Sequence, residues 1–248
     1  MDRLTDAPEL LDGPLDDPAA LVGNLRDLRR VNRWLGGVAL TASAIDALAA
    51  HRTGLSILDV GTGGADIPVA LLASAGRRAR SLHIVGIDSR PEVLAAAALA
   101  DRAVADTDGL TLQVGDGRSL PYADDSFDVV HASMVLHHLD GDDGTALLRE
   151  MARVGRLGIV LNDLDRSRLA WLGAWLIGHV FTRNRYTRHD APLSVRRAYR
   201  VDEALALVRG AGLAPVRTVR GLFGHRYAIA AVRRTELDAL GAGGLDRA

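Results

Sequence analysis

The sequence holds no cysteine, and all 30 of its basic residues are arginine. Without cysteine there are no disulfides, thiolate metal sites or cysteine nucleophiles. Any metal would need histidine and carboxylate ligands, and a reducing, cytoplasmic compartment is the expectation. The absence of lysine, with abundant alanine, reads as coding bias. Net charge is also nearly missing, at −1 from 30 basic and 31 acidic residues, so overall charge makes no case for nucleic acid. The longest apolar run, residues 169–181 (LAWLGAWLIGHVF), is too short to cross a bilayer, and the acidic, proline-bearing N-terminus lacks a basic-then-apolar leader. What remains is 248 residues, 48% hydrophobic and 25% charged, an ordinary globular composition with enough chain for a sizeable core.

From Leu55 onward, β-type runs alternate with helical stretches, the mark of a parallel sheet covered by helices on both faces. The pattern predicts strands at 56–60, 82–87, 111–114, 127–132 and 157–161, with helices over 66–75, 91–105 and 142–154. Pro91 suits a first helical turn, with Ser89 ahead of it as a cap. Residues 1–50 are different: acidic to Pro18, then helical over 19–31 and 35–50, and they read as a cap. Residues 163–200 read as an insertion that carries specificity, a Trp-bearing apolar helix followed by a basic loop containing Pro192. A helix over 201–211 and runs around 216–223 and 226–232 close the chain as a hairpin, ahead of a tail, GAGGLDRA, expected to be mobile. The expectation is an α/β chain: a helical cap over 1–50 and a doubly wound domain over 51–248, interrupted by 163–200.

Residues 57–66, ILDVGTGGAD, place a glycine-rich turn between the first strand and the first helix. Glycine permits positive φ and close approach of a ligand, and free amides at a helix start supply donors, although tight turns of this kind need glycine in any case. The next strand ends at Asp88, where a ribose diol would sit in a doubly wound fold, and the third ends at Gly115-Asp116-Gly117. A dinucleotide fingerprint would require glycine where Asp66 stands, and that charge would face a diphosphate. S-adenosylmethionine (SAM) carries a cationic sulfonium and no phosphate, so the acids Asp59 and Asp66 favour it.

The blocks LDVGTGGADIP, VGIDSRPEVL and GDGRSLPYADDSFDVVHASMVLHHL, within about residues 55–165, resemble class I SAM-dependent methyltransferases of the branch that includes the ubiquinone and menaquinone methylases. That resemblance implies a seven-stranded, mainly parallel sheet with a C-terminal antiparallel hairpin strand, and SAM as cofactor. Gly61, Gly63 and Gly64 would line the methionine moiety, Asp88 the ribose hydroxyls, and Asp116 with Gly117 the adenine. Ser133 would flank the cofactor, and Asp59, Thr62, Ser89, Gly115 and His131 complete the expected cofactor set. The family's last turn glycine is Ala65 here, a methyl the turn is expected to tolerate. Motifs around 162–167 and 189–199 are similar to a bacterial subgroup often encoded beside polyketide synthases, implying a phenolic or polyketide-like acceptor and a place in secondary-metabolite or antibiotic biosynthesis.

Methyl transfer from a sulfonium is an in-line displacement, for which a protein supplies alignment and a shielded pocket. Trp34 with the N-terminal helices, and Trp171 with Trp175, are candidate lid pieces or simply core. A phenolic acceptor must lose its proton, and His137 or His189 is the expected base, with His138 near the acceptor; each has a packing or solvated-loop alternative. Arg196, Arg197 and Tyr199 are expected acceptor contacts from an arginine-rich run that otherwise reads as a solvated face or an RNA-contacting patch. The apolar helix 169–181 either packs in the core, the preferred reading, or rests on a membrane surface. Adjacent His137 and His138 lack metal-ligand spacing, so no metal is expected. The leading function is O-methylation of a small phenolic or lipid-like acceptor by a monomer or homodimer, without nucleic acid or stable membrane insertion. C-methylation of a quinone-like ring, an NAD(P)-dependent oxidoreductase and a non-catalytic SAM-binding protein are the alternatives.

Overall fold

The computed structural model describes residues 1–235 except 6, 50, 78 and 79; the expected mobile tail lies outside the described residues. Seven strands form one sheet in the order β3-β2-β1-β4-β5-β7-β6. They are β1 (Gly54–Val60), β2 (Ser81–Asp88), β3 (Leu110–Val114), β4 (Phe127–Ser133), β5 (Gly155–Leu164), β6 (Leu213–Arg220) and β7 (Arg226–Arg233). All neighbours are parallel except β7, which runs antiparallel to both β5 and β6. Register sets Val60 beside Ile87 and Ala132, so β1, β2 and β4 end together along one carboxyl edge.

Alternate residues of the central strands feed opposite layers, as a pleated backbone dictates. Leu58, Val130 and Leu161 pack with Leu147, Met151 and Val208 under α6 (Gly141–Val154) and α9 (Val201–Gly210). Ile57, Val129 and Val160 pack with Ile67 and Leu71 of α3 (Asp66–Arg77) and with Leu40, Ala44 and Ile45 of α2 (Gly37–Ala49). Thus α2 covers the sheet and belongs to the core layer, and the cap expected over 1–50 reduces to the N-terminal segment and α1 (Pro18–Trp34). Leu21 and Leu25 of α1 cluster with Ala96 of α4 (Pro91–Ala100) and Tyr186.

Pro91 opens α4 as expected, but the cap position falls on Arg90, not Ser89. The helix then breaks at Asp101, whose carboxylate accepts from Ala103 N–H, and a short α5 (Ala103–Asp106) follows. The insertion holds α7 (Arg168–Leu176), a π turn to Phe181, and α8 (Arg185–Arg197) where a loop was expected. Asn184 caps α8 by accepting from the Tyr186 and Thr187 amides, and Pro192 is tolerated because Tyr186, Asp190, Ser194 and Val195 bury one face.

Candidate functional site

At the carboxyl edge the β1–α3 turn adopts conformations that side chains resist. Gly61 and Gly63 have φ of +68° and +54°, and a Cβ on Gly61 would lie 2.4 Å from Val135 Cγ2. Ala65, fully buried, holds φ +53°, a strained state that other contacts of the turn must sustain. Asp88 locks the turn: one carboxylate oxygen accepts from Gly63 N–H and the other from Arg90 N–H, each at 3.0 Å. Burial raises the Asp88 pKa despite those two bonds.

A cavity of about 750 Å³ opens on this turn. Asp59, Gly61, Thr62, Gly63, Gly64, Asp88, Ser89, Gly115, Asp116, Gly117 and Ser133 all line it, so residues from three separate sequence blocks meet in one space. His131 does not join them. Its position in β4 turns it away from the cavity toward α2, where it is buried between Asp59, 2.5 Å from Nδ1, and the Thr41 hydroxyl, 3.2 Å from Nε2.

The lining is compatible with an adenosyl sulfonium: the Thr62 hydroxyl is buried with no partner among the described residues, and the Asp88 carboxylate, an acceptor for a donor such as a hydroxyl, lines the cavity. Asp66 occupies the first turn of α3, the place a diphosphate would need, and the cavity's Arg90 and Arg118 are engaged elsewhere. Arg90 donates to the Leu11 and Gly13 carbonyls, and Arg118 pairs with Asp116 and Asp143.

Residues 58–161 match the methyltransferase domain family. The chain has the fold of SAM-dependent methyltransferases. A demethylmenaquinone methyltransferase of Halalkalibacterium halodurans is 36% identical over 119 residues, which are 47% of this chain and 45% of that protein. The match therefore spans about half the length of that relative. Among solved structures, a SAM-dependent methyltransferase from Aquifex aeolicus superposes with a TM-score of 0.59 at 16% identity, covering 87% of this chain and 97% of that one. Human N-acetylserotonin methyltransferase, solved with SAM, gives 0.64 at 15% identity over 88% of this chain and 56% of that chain.

Leu11, Leu21, Leu25, Leu28 and Met134 add an apolar lining to the same cavity, with Leu25 packed over Gly64 of the turn. His138 lines it as well. Its Nδ1 lies 2.9 Å from Asp12, whose other oxygen accepts from Arg197 at 2.6 Å. Burial pushes Asp12 up, but the His138 and Arg197 hydrogen bonds and the His138 charge outweigh it and hold the carboxylate well below its ordinary range. The N-terminal segment carrying Asp12 is pinned in turn, since Leu10 and Leu11 N–H donate to Asp190.

The other expected catalytic and acceptor residues are elsewhere. His137 is buried off the cavity, with Nδ1 2.7 Å from Asp163 and its own amide donating to the same carboxylate. His189 pairs with Asp190 and lines a separate cavity of about 430 Å³ with Pro8, Leu10 and Tyr186. Trp34 is 76% exposed and Arg196 points outward. Arg197 and Tyr199 are buried behind the N-terminal segment, donating to the His138 and Leu139 carbonyls, and line neither of these two cavities.

One grouping was invisible in the sequence. Glu9, His137 and His138 bring a ligand atom each within 4.8 Å of one another and could hold a metal ion. Spacing along the chain argued against the two histidines, but a 3-10 turn at Leu136–His138 sets their rings 4.2 Å apart, and Glu9 arrives from the N-terminus. Burial pushes Glu9 up to about 7, only partly offset by the charge of His138 and the Ser194 hydroxyl that donates to it. Sequence reasoning also missed Arg226, a fully buried guanidinium donating to Asn162, Asn32 and Ser133. Asn32 in turn donates to Asp66, so Arg226 ties α1, β4 and β5 to the cavity wall.

Proposed function

We propose that the protein is a SAM-dependent methyltransferase that methylates a hydroxyl of a small, apolar phenolic or polyketide-type acceptor. The observation that carries this reading is a single cavity lined together by a glycine cradle, Asp88, a set of leucines and a histidine held by a carboxylate. Bound SAM supplies an electrophilic methyl on a sulfonium. Asp88 accepts from the ribose hydroxyls, and the backbone around Gly61–Gly64 approaches the methionine moiety closely because no side chain intervenes. Leu21, Leu25 and Leu28 exclude water from the acceptor. His138, the histidine that lines the cavity, with Nδ1 on Asp12 and Nε2 3.9 Å from Glu9, is the base proposed for the acceptor hydroxyl, in place of His137 or His189.

A second reading, C-methylation of a quinone-like ring, is favoured by the demethylmenaquinone methyltransferase among the relatives and uses the same cofactor residues. The deciding experiment incubates the protein with methyl-labelled SAM and a panel of phenols and quinols, and locates the label by mass spectrometry and NMR. Label on oxygen supports the proposal and label on ring carbon the second reading. Calorimetry that detects NADH binding without S-adenosylhomocysteine binding would overturn both.

A further inference from the structure

The expectation that the apolar helix over 169–181 packs inside is not met. Leu169, Leu172, Trp175, Leu176, Val180 and Phe181 are all exposed, from 39% for Trp175 to 79% for Phe181. The surface continues beyond the insertion. The turn at Leu222–Gly224 packs against α7, and His225 beside it lies 3.1 Å from the Leu35 carbonyl through Nε2. Exposed Leu222 and Phe223 therefore join α7 to exposed Trp34 and Leu35 at the end of α1. Phe223 is displayed at φ +62°, a strained backbone state for an aromatic residue. Three stretches distant in sequence thus build one apolar face far larger than scattered surface leucines would give.

The exposed charged residues of the stretches that build this face, 28–35, 166–183 and 222–226, are basic, and the adjoining acids Asp27 and Asp165 are buried. Exposed Arg33, Arg168 and Arg183 sit among the apolar residues and have no ion pair among the described residues. A second copy of the chain fits this pattern poorly, because a two-fold contact would set the same arginines against themselves with no acid to answer them. An anionic lipid surface answers both features, taking the apolar side chains into its interface and the guanidinium groups among its headgroups. No described helix is long and apolar enough to cross a membrane, so the contact is peripheral.

We infer that this face, formed by α7 with its π turn, the Leu222–Gly224 turn and the end of α1, docks the protein on an anionic bilayer. Trp34 begins the face two residues after cavity-lining Asn32, so docking would set the cavity wall that Asn32 shares with Asp66 close to the lipid. Entry of an acceptor from the lipid rests on the proposed acceptor reading; the docking itself does not.

The test needs no acceptor. The full chain is sedimented with vesicles of phosphatidylcholine alone and with vesicles containing one third phosphatidylglycerol. Binding is expected to the anionic vesicles, to weaken as salt is raised, and to fall at least tenfold in an F181S/L222S/F223S variant that binds S-adenosylhomocysteine like the parent. Absence of binding to either vesicle overturns the inference, as does a variant that sediments like the parent. A concentration-dependent dimer abolished by the same substitutions, with no vesicle binding, assigns the face to a second copy and likewise overturns it. Vesicle binding alongside a failed methylation assay would leave docking standing and remove only the acceptor reading.

Discussion

Asp88→Ala is the most direct probe of the cofactor end. The substitution removes the acceptor for the Gly63 and Arg90 amides and the carboxylate that faces the cavity. A hydrogen bond to a charged group contributes about 1.5–3 kcal/mol, so losing the ribose contact alone predicts a Kd for S-adenosylhomocysteine raised about 10- to 150-fold. Release of Gly63, held at φ +54°, adds to that by loosening the cradle. Asp88→Asn keeps the shape and one acceptor oxygen but loses the charge, so it falls between parent and alanine. Titration calorimetry, with thermal melting to confirm folding, reads all three. Because burial raises the Asp88 pKa, parent affinity should begin to fall on acidification at a higher pH than an ordinary aspartate would give. A Kd within twofold of parent in the alanine variant would refute the ribose assignment and the cavity reading built on it.

Other outcomes follow from the same geometry. His138→Gln should lower kcat by about 100-fold or more while leaving S-adenosylhomocysteine affinity unchanged, and unaltered turnover across pH would remove His138 as the base. Arg226→Met strips donors from Asn32, Asn162 and Ser133 and leaves Asp66 and Asp163 without their cation, so urea denaturation should show a loss of about 3–5 kcal/mol. Glu9, raised to about 7, binds its proton more tightly folded than unfolded. Stability should therefore fall as pH rises from about 4.5 to 7, by up to roughly 3 kcal/mol, and Glu9→Gln should flatten that slope in pH-dependent melting. Turnover should survive chelator; loss restored by a divalent ion would show that Glu9, His137 and His138 hold a metal.

The cofactor end was legible because its determinants are local. Gly61, Gly63, Asp88 and Asp116 each lie at or just beyond a strand's carboxyl end, and parallel pairing necessarily gathers such ends on one edge. The acceptor end was not legible, because its polar groups meet across most of the chain. Nothing near His138 announces Asp12, and nothing near Arg226 announces Asn32. His131 shows a second failure: it sits in the expected motif, yet strand pleating turns it toward Thr41 of a helix assigned beforehand to the cap. That helix, α2, was misassigned because amphipathic spacing alone does not say which partner a helix covers. Pro192 likewise suggested a loop, whereas the Asn184 cap and one buried face sustain a helix through it.

The guanidinium of Arg226 also bears on how the acceptor range of such a protein could be altered. Exchanging α1 as a cassette, to graft a different selectivity, separates Asn32 from the group it was matched to, and a mismatch would strand a cation in the interior. Swaps that carry the Asn32–Arg226 partnership intact, changing only Leu21, Leu25 and Leu28, leave that anchorage in place while reshaping the chamber.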